Sequence, residues 1–249
     1  MASAGRFSNK TVIVTGAGSG IGRATAVRLA AEGAHVVATD VIEARLTALA
    51  AELGDTVSTV TGDIADSTVI DQILDATNGK VDGLANVAGI MDGFLPTAEI
   101  DDDTWDRVLA VNLTGMMRLT RAALPLMLDA GHGSIVNVSS EAGLRGSAAG
   151  TAYTTSKHAV NGFTKSTAFF YTPKGVRCNA VAPGAVATNI EAPFKSAWAG
   201  ERLRPFLQTT VPPVAQAEQL AAAITWLLSD DSANVSGAIL VDDGGWAAV

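Results

Sequence analysis

The sequence predicts a single α/β domain, residues 1–249, with helices on both faces of a doubly wound, mostly parallel, seven-stranded sheet. Two observations support this prediction. Seven short, strand-like runs alternate along the chain with helix-forming stretches, and strands that are connected through helices pair in parallel by right-handed crossovers. The chain has 249 residues, 48% of them hydrophobic, which suits one domain of ordinary size with a large buried core.

Composition narrows the range of functions. The formal net charge is -8, which argues against binding to nucleic acid or anionic membranes because both depend on clustered Lys and Arg. Residues 1–10 lack the apolar core of a secretory signal, and no run is long enough to cross a bilayer. The single cysteine, Cys178, lies in an apolar alternating run and is expected to be a buried thiol. We therefore expect a cytoplasmic protein without nucleic-acid, membrane or metal sites.

A glycine-rich turn follows the first predicted strand, residues 11–15. The turn reads Thr15-Gly16-Ala17-Gly18-Ser19-Gly20-Ile21-Gly22 and leads into a helical pattern that continues to residue 31. Glycines let a ligand approach the main chain closely, and the free N–H groups at the helix start favour a phosphate. The spacing differs from the general G-x-G-x-x-G fingerprint. Its position directly after a strand nevertheless indicates a dinucleotide-binding turn, in which Thr15 braces the main chain.

The second predicted strand, residues 34–39, ends at Asp40, eighteen residues past Gly22. A carboxylate at this place accepts hydrogen bonds from both hydroxyls of the adenosine ribose and repels a 2′-phosphate. It therefore favours NAD over NADP, although an ordinary acid at a strand end is the simpler interpretation. A helix over residues 41–53 and a third strand over 57–61 follow, and Asp66 or Ser67 is a candidate N-cap for the next helix.

Two polar motifs come next along the chain. The fourth strand, residues 83–85, leads into Asn86-Val87-Ala88-Gly89. Asn112 lies inside the helical pattern of residues 101–130, where asparagine is unfavourable. It is either a tolerated polar residue or one with a specific role. Pro125 should bend or end a turn of the same helix.

The fifth strand, residues 135–138, is followed by Ser139, Ser140 and a loop of small residues that ends where a helix begins. On that helix Tyr153 and Lys157 are four residues apart, so their side chains leave the same face. The pKa of a free tyrosine is about 10, and a nearby ammonium group favours the phenolate and lowers that pKa towards neutrality. Taken alone, such a pair is more often found on a solvated helix face than in a reaction centre.

The last third of the chain continues the alternation. A sixth strand, residues 176–181, precedes a Pro183-Gly184 turn, and a helix over 217–228 precedes the final strand. Residues 189–213, named the lid segment below, mix aromatic residues, arginines and prolines without a clear period. The run Phe169-Phe170-Tyr171 places aromatics on more than one helix face, which indicates contact with a partner subunit.

Together these motifs resemble the short-chain dehydrogenase/reductase family, in which a serine stands thirteen residues before the tyrosine of Tyr-x-x-x-Lys. Ser140, Tyr153 and Lys157 have that spacing. The resemblance covers nearly the whole chain and extends to the 3-oxoacyl-thioester reductase branch, but Val87 stands where the family has a second asparagine. It implies a Rossmann fold, a small alcohol or ketone substrate, a lid over residues 189–213, and a homo-oligomer, with a tetramer favoured and a dimer possible.

The resemblance also implies residue roles. Tyr153 would be the general base or acid, Lys157 would lower its pKa and bind the nicotinamide ribose, Ser140 would bind the substrate oxygen, and Asn112 would hold a water on the proton path. Ser19 and Val41 stand where NADP-dependent relatives commonly carry a basic residue, so NAD is the expected cofactor. The implied cofactor-binding residues are Thr15, Gly16, Ser19, Gly20, Ile21, Gly22, Asp40, Asp63, Ile64, Asn86, Ala88, Gly89, Tyr153, Lys157, Pro183, Gly184, Val186 and Thr188.

Two alternatives remain open from the sequence. One is an NADPH-dependent 3-oxoacyl-thioester reductase, against which Asp40 argues. The other is a non-catalytic sensor or scaffold that binds a dinucleotide, against which the complete set of Asn, Ser, Tyr and Lys argues. For the substrate, we expect Met91, Glu141, Leu144 and Arg145 to line the pocket together with the lid segment, and an apolar secondary alcohol or cyclic hydroxy compound to occupy it.

Overall fold

A computed structural model describes residues 5–190 and 192–248, so the first four residues, Glu191 of the lid segment and Val249 at the end of the chain lie outside the description. The strands are β1 (Thr11–Thr15), β2 (His35–Asp40), β3 (Val57–Thr61), β4 (Gly83–Asn86), β5 (Gly133–Val138), β6 (Val176–Pro183), β7 (Val186–Ala187), β8 (Ala215–Gln216) and β9 (Ile239–Asp242). The helices are α1 (Gly20–Ala31), α2 (Glu43–Leu53), α3 (Ser67–Asp75), α4 (Asp102–Leu109), α5 (Met116–Ala130), α6 (Thr151–Tyr171), α7 (Ala197–Thr210) and α8 (Ala217–Leu228).

Within the described ranges, seven strands form one sheet in the order β3-β2-β1-β4-β5-β6-β9, and every neighbouring pair is parallel. The predicted fold class is therefore confirmed. The short strands β7 and β8 pair separately beside this sheet and were not predicted. They are only two residues long, and no periodicity can be read from so few positions.

The core lies on both faces of the sheet because successive residues of a strand point to opposite sides. Val12 and Val14 of β1 join a buried cluster with α1 and α8, whereas Ile13 joins a second cluster with α3 and α5. Full burial of such a side chain contributes about 1.5–3 kcal/mol. Cys178 lies in the second cluster and is fully buried, as predicted from its apolar surroundings.

The strand order places the functional cleft. β1 pairs with β2 on one side and with β4 on the other, so the connections from β1 and β4 leave towards opposite faces of the sheet. Ligands of doubly wound sheets bind at this reversal, outside the carboxyl ends of the strands. The glycine turn after β1 and the Asn86-Val87-Ala88-Gly89 motif after β4 both lie there.

The helical pattern of residues 101–130 is interrupted by a π-helical turn. α4 runs directly into the π-helix Ala110–Gly115, which runs directly into α5. Asn112 lies in this turn, so the predicted unfavourable residue coincides with a local change of helix geometry. Pro125 is accommodated inside α5, which continues to Ala130. No helix among the described residues is both long and apolar enough to span a membrane.

Candidate active site

A cleft of about 620 Å³ opens at the carboxyl ends of the central strands. It brings together most of the residues that the sequence singled out, although they are spread over more than 170 positions of the chain. Thr15, Asn86 and Asn112 are absent from its wall and lie behind it. The predicted residues that line it are Gly16, Ser19, Gly20, Ile21, Gly22, Asp40, Asp63, Ile64, Ala88, Gly89, Ser140, Tyr153, Lys157, Pro183, Gly184, Val186 and Thr188.

The glycine turn is packed tightly on the chain that follows β4. Gly16 has a φ of +65°, and a Cβ there would stand 3.0 Å from the Cα of Ala88. Gly20 has a φ of +50°, and its Cβ would stand 2.9 Å from the side chain of Thr188. At the start of α1, Ser19 makes no side-chain capping bond. The first N–H groups of the helix therefore stay available to an anion in the cleft.

Two buried polar side chains hold this part of the cleft together. The Thr15 hydroxyl accepts hydrogen bonds from the N–H groups of Val87, at 2.9 Å, and Ala88, at 3.0 Å. The Asn86 amide donates to the hydroxyl of Thr120 and to Oδ1 of Asn137, at 3.1 and 2.8 Å. Both residues thus brace the wall instead of lining it, which is the role predicted for Thr15 from the sequence.

Asp40 lies at the end of β2 with only 9% of its surface exposed. Its Oδ2 accepts a hydrogen bond from the N–H of Gly18 at 3.0 Å, and its Oδ1 accepts one from the N–H of Ile42 at 3.0 Å. These two donors fix the carboxylate in the cleft wall and leave each oxygen a further lone pair. Arg45, in the first turn of α2, lies beside it, 3.4 Å from the hydroxyl of Ser19.

Asp63 is already engaged by a protein partner. Its Oδ2 is 2.6 Å from the guanidinium of Arg107, and its Oδ1 accepts the N–H of Ala65 at 2.9 Å. The resemblance implies instead that Asp63 binds the cofactor. Both side chains of the ion pair are partly exposed, and such pairs contribute little, about 0–1 kcal/mol. The predicted N-cap is Asp66, whose carboxylate accepts the N–H of Thr68 at 2.9 Å.

The three groups of the predicted reaction centre converge on one wall of the cleft. The Ser140 side chain lies close enough to the Tyr153 phenol to lower its pKa, and the Ser140 hydroxyl accepts the N–H of Ala142 at 3.1 Å. Lys157 is 3% exposed. Its Nζ donates to the carbonyl of Val138 at 2.8 Å and lies 5.4 Å from the centre of the Tyr153 ring.

Burial is the largest influence on the pKa values of Tyr153 and Lys157. It raises the pKa of Tyr153 to about 12, against the opposing effect of the Ser140 side chain and with a smaller contribution from the charge of Asp92. It lowers the pKa of Lys157 to about 8. The expectation that Lys157 draws the tyrosine pKa towards neutrality is therefore not met in this structure. The reason is that removal from water disfavours the phenolate and the ammonium alike.

Asn112 is 2% exposed and binds the main chain of the loop after β4. Its Oδ1 accepts the N–H of Ile90 at 2.8 Å, and its Nδ2 donates to the Ile90 carbonyl at 2.9 Å. The same Nδ2 lies 3.2 Å from the hydroxyl of Ser156, one residue before Lys157. Asn112 thus links the π-helical turn to α6, the helix that carries Tyr153 and Lys157.

The space in front of Gly89 suits a dinucleotide. A Cβ on Gly89 would stand 3.4 Å from Oδ1 of Asn112 and 3.5 Å from Nζ of Lys157, so the absence of a side chain there leaves room in front of both groups. Together with the uncapped start of α1 and the fixed carboxylate of Asp40, this space provides an anion site, a hydroxyl acceptor and an ammonium donor in one cavity.

Several cleft residues were not identified from the sequence. Arg45 and Arg107 line the cleft because the first turn of α2 and the end of α4 face it. Lys195 lines it from the lid segment. The sequence held a signal for Arg45, since this residue lies in the first turn of the helix that follows the Asp40 strand. Arg107 and Lys195 are brought in by tertiary packing that no local pattern encodes.

Four residues outside the lid segment were predicted to line the substrate pocket, and only one of them lines the cleft. Met91 lines the cleft, but Glu141, Leu144 and Arg145 do not. The side chain of Glu141 is completely buried and ion-paired with Arg145, and burial raises the pKa of Glu141 against the opposing charge of Arg145. Arg145 also donates to the carbonyl of Trp246 at 2.8 Å. The prediction was wrong for this pair because its partners come from the chain's last turn.

Comparison with known proteins places the chain in a family. A family model described as short chain dehydrogenase matches residues 10–198. A short-chain dehydrogenase/reductase, cdmF, of Talaromyces verruculosus is 39% identical over 260 residues, covering 98% of this chain and 100% of that protein. The 3beta-hydroxysteroid dehydrogenase 2 of Eggerthella lenta is 38% identical over 252 residues, covering 97% and 96%. The crystal structure of levodione reductase superposes with a TM-score of 0.88 at 34% identity, covering 98% of this chain and 99% of that one.

The fold, the cleft and these matches define an oxidoreductase that acts on alcohol or ketone groups. The chain belongs to the short-chain dehydrogenase/reductase family, whose members bind a nicotinamide dinucleotide. The resemblance stated from the motifs is thereby confirmed at the level of the family, although not for the 3-oxoacyl-thioester reductase branch.

Proposed function

We propose that this enzyme transfers a hydride between NAD and a secondary alcohol or ketone, with Tyr153, Lys157, Ser140 and Asn112 as its catalytic set. The observation that supports it most directly is the convergence of Ser140, Tyr153 and Lys157 on the cleft wall that adjoins Gly89. The nicotinamide cofactor, when bound, supplies or accepts the hydride.

The protein residues handle the proton and the charge. Tyr153 donates a proton to the carbonyl oxygen in reduction and removes one from the hydroxyl in oxidation. Ser140 accepts the N–H of Ala142, so its own proton can be donated to the substrate oxygen and stabilise the charge that develops there. One of the three ammonium protons of Lys157 is held by Val138, and the other two are available to the ribose hydroxyls and towards Tyr153.

The role of Tyr153 is tested by the variant Tyr153→Phe, which removes only the hydroxyl. We expect turnover to fall by roughly 10²–10⁴-fold, the usual contribution of a positioned acid or base, while NAD binding and the unfolding transition stay as in the wild type. Tyr171→Phe, which removes a hydroxyl from the far end of the same helix, is the matched control. If Tyr153→Phe kept more than about a tenth of wild-type turnover, the proton-transfer role would be excluded.

We further propose NAD instead of NADP, because Asp40 is held in the cleft with lone pairs free for ribose hydroxyls and repels a 2′-phosphate. The test is the affinity for NADH and NADPH measured side by side, for the wild type and for Asp40→Asn. We expect the wild type to prefer NADH and the variant to lose much of that preference. Glu43→Gln, which removes an acid three residues along, is the control. A wild-type preference for NADPH would favour the 3-oxoacyl-thioester reductase alternative.

For the substrate we propose a class of compounds and not a single molecule. The names of two similar proteins refer to a 3beta-hydroxysteroid and to levodione, which supports an apolar secondary alcohol or cyclic hydroxy compound here, with residues 189–213 as a lid over it. A panel of secondary alcohols, sugars and hydroxy acids, followed by NADH absorbance, tests this. Turnover of any alcohol excludes the remaining alternative, a non-catalytic sensor or scaffold.

We also propose a cytoplasmic homo-oligomer, with a tetramer favoured over a dimer. Phe169 and Phe170 lie side by side on α6 with 77% and 62% of their surfaces exposed, and their rings form an edge-to-face pair. Neighbouring aromatics exposed to this extent are typical of a surface that another subunit covers. A single buried cysteine and a formal charge of -8 are consistent with the cytoplasm.

A further inference from the structure

The loop of residues 92–95 contacts both the catalytic helix and the lid segment. It follows the Ala88-Gly89 end of the β4 motif and lies between the first turn of α6 and the chain before α7. None of its side chains was considered from the sequence, because the loop has no periodicity and no recognisable motif.

On one side the loop caps the helix that carries Tyr153. The N-cap residue of α6 is Gly150, which has no side chain to bind the first N–H groups of the helix. Asp92, 1% exposed, takes this role from outside the helix. Its Oδ2 accepts the N–H of Tyr153 at 2.9 Å, and its Oδ1 accepts the N–H of Gly150 at 3.2 Å. The carbonyl of Leu95 accepts the N–H of Thr151 at 2.9 Å.

The fit between this loop and the helix is tight. A Cβ on Gly150 would stand 2.5 Å from Oδ2 of Asp92 and 2.5 Å from the N of Leu95. The backbone of Tyr153 is therefore held by a buried carboxylate that can move only with its own loop. Any displacement of the loop is transmitted to the first turn of α6.

On the other side the loop contacts the lid segment. The carbonyl of Gly93 accepts the N–H of Lys195 at 2.9 Å. The ring of Phe94 stacks on the ring of Phe194, with centroids 4.2 Å apart and planes 17° from parallel. The guanidinium of Arg204, from α7, lies 5.1 Å from the centre of the Phe194 ring on the same aromatic stack.

The backbone of the loop is strained, which makes its conformation depend on these contacts. Gly93 and Phe94 have φ values of +69° and +58° in succession. The left-handed region is unusual for a bulky residue and persists where the surroundings enforce it. Here Asp92 binds the N–H of Phe94 at 3.0 Å from the helix side, and the stack with Phe194 holds its ring from the lid side.

From these contacts we infer that Asp92 and Phe94 are positioning residues that couple the seating of the lid segment to the placement of Tyr153. Docking of Phe194 stabilises the left-handed conformation of Phe94, and that conformation places the Asp92 carboxylate on the N–H of Tyr153. A lid that is not seated leaves the catalytic phenol less precisely held. This inference rests on the proposed function only for the role of Tyr153, since the coupling itself is a property of the fold.

Amide hydrogen exchange tests the coupling without any substrate. We would compare wild type, Phe194→Leu, Asp92→Asn and the control Trp198→Leu, which removes an aromatic ring of the same segment that is 60% exposed. We expect exchange in residues 150–157 to accelerate by roughly tenfold or more in Phe194→Leu and Asp92→Asn, since local opening governs it. Trp198→Leu should leave this region as in the wild type, and β5 should stay protected in all four proteins.

Kinetics then show whether the coupling reaches the chemistry. With cyclohexanol and 3beta-hydroxysteroids as probes, Phe194→Leu should lower kcat by roughly tenfold or more, because small misplacements of reacting groups are costly, whereas Trp198→Leu should alter KM alone. Asp92→Asn combined with Phe194→Leu should be no worse than the stronger single variant, since both interrupt one path.

The outcomes separate the two proposals. Unchanged exchange at 150–157 in Phe194→Leu would overturn the coupling, and so would fully additive effects of the two substitutions on kcat. If no alcohol or ketone were turned over, the proposed function would fail while the exchange data still decided the coupling.

Discussion

The replacement Lys157→Met tests how burial sets the proton affinity of the cleft wall. Lys157 is 3% exposed, and its ammonium group donates a hydrogen bond to the Val138 carbonyl. Burial lowers the pKa of Lys157 from 10.5 to about 8, which corresponds to about 3 kcal/mol at 1.36 kcal/mol for each tenfold change. Burial of the charged lysine lowers the free energy of unfolding by this amount at any pH at which the lysine is protonated in both the folded and the unfolded protein.

The sign of the effect follows from proton binding. Below about pH 8 the lysine is charged in the folded and unfolded protein, and the cost of burying it is fully present. Between about 8 and 10.5 the folded lysine loses its proton while the unfolded chain keeps it. The unfolded state then binds more protons, so the stability of the wild type rises with pH. The side chain introduced by Lys157→Met is neutral at every pH, so the stability of the variant does not rise in this way.

The assay is urea unfolding of the wild type and Lys157→Met at several pH values from 7 to about 10.5, at one salt and protein concentration. Taking the difference cancels the other groups that titrate in this range. We expect the wild type to gain about 3 kcal/mol relative to the variant. Lys165→Met, at an exposed position of the same helix, is the control. If the difference in unfolding free energy between the wild type and Lys157→Met stayed constant across this pH range, within about 0.5 kcal/mol, the argument from burial would be refuted.

Three further changes probe other parts of the molecule. In Gly89→Ala the new methyl group makes only ordinary contacts, 3.4 Å or more, so the chain should still fold. Calorimetry should show that it binds the cofactor roughly tenfold or more weakly, a loss of about 1.4 kcal/mol, and wild-type affinity would contradict this. Arg145→Met should destabilise the protein by about 3–5 kcal/mol because Glu141 stays buried without its ion-pair partner, and adding Glu141→Gln should recover part of the loss in urea unfolding. The pair Phe169→Ser with Phe170→Ser should shift sedimentation towards a smaller species, and an unchanged assembly would place the interface elsewhere.

The fold was predictable because its signals are local. Strands such as β1 are continuous apolar runs, and a parallel sheet with helices on both faces buries both sides of them. The alternation with helices then leaves few topologies. The position of Asp40 after β2 followed from the same periodicity, whereas Ser140 was assigned together with Tyr153 and Lys157 because their spacing resembles the motif of the family.

What the sequence did not predict depends on contacts between distant segments. The ion pair of Glu141 and Arg145 is completed by Trp246, about a hundred residues away. The carboxylate of Asp92 acts on a helix that begins nearly sixty residues later. The predicted decrease in the pKa of Tyr153 is not seen for a similar reason. Spacing shows that two groups are close, whereas the extent of desolvation is set by everything packed around them.

The π-helical turn of residues 110–115 preserves the rotational phase between α4 and α5. An α-helix turns by about 100° per residue, and a π-turn inserts one residue without adding a full step of that rotation. Removing a single residue here would therefore restore a regular helix with Leu119, Ala123 and Met127 of α5 still on the sheet they now cover, whereas removing one from the regular part of α5 would rotate the residues after it by about 100°. What the extra residue supplies is local: it forms the turn from which Asn112 reaches Ile90 and Ser156.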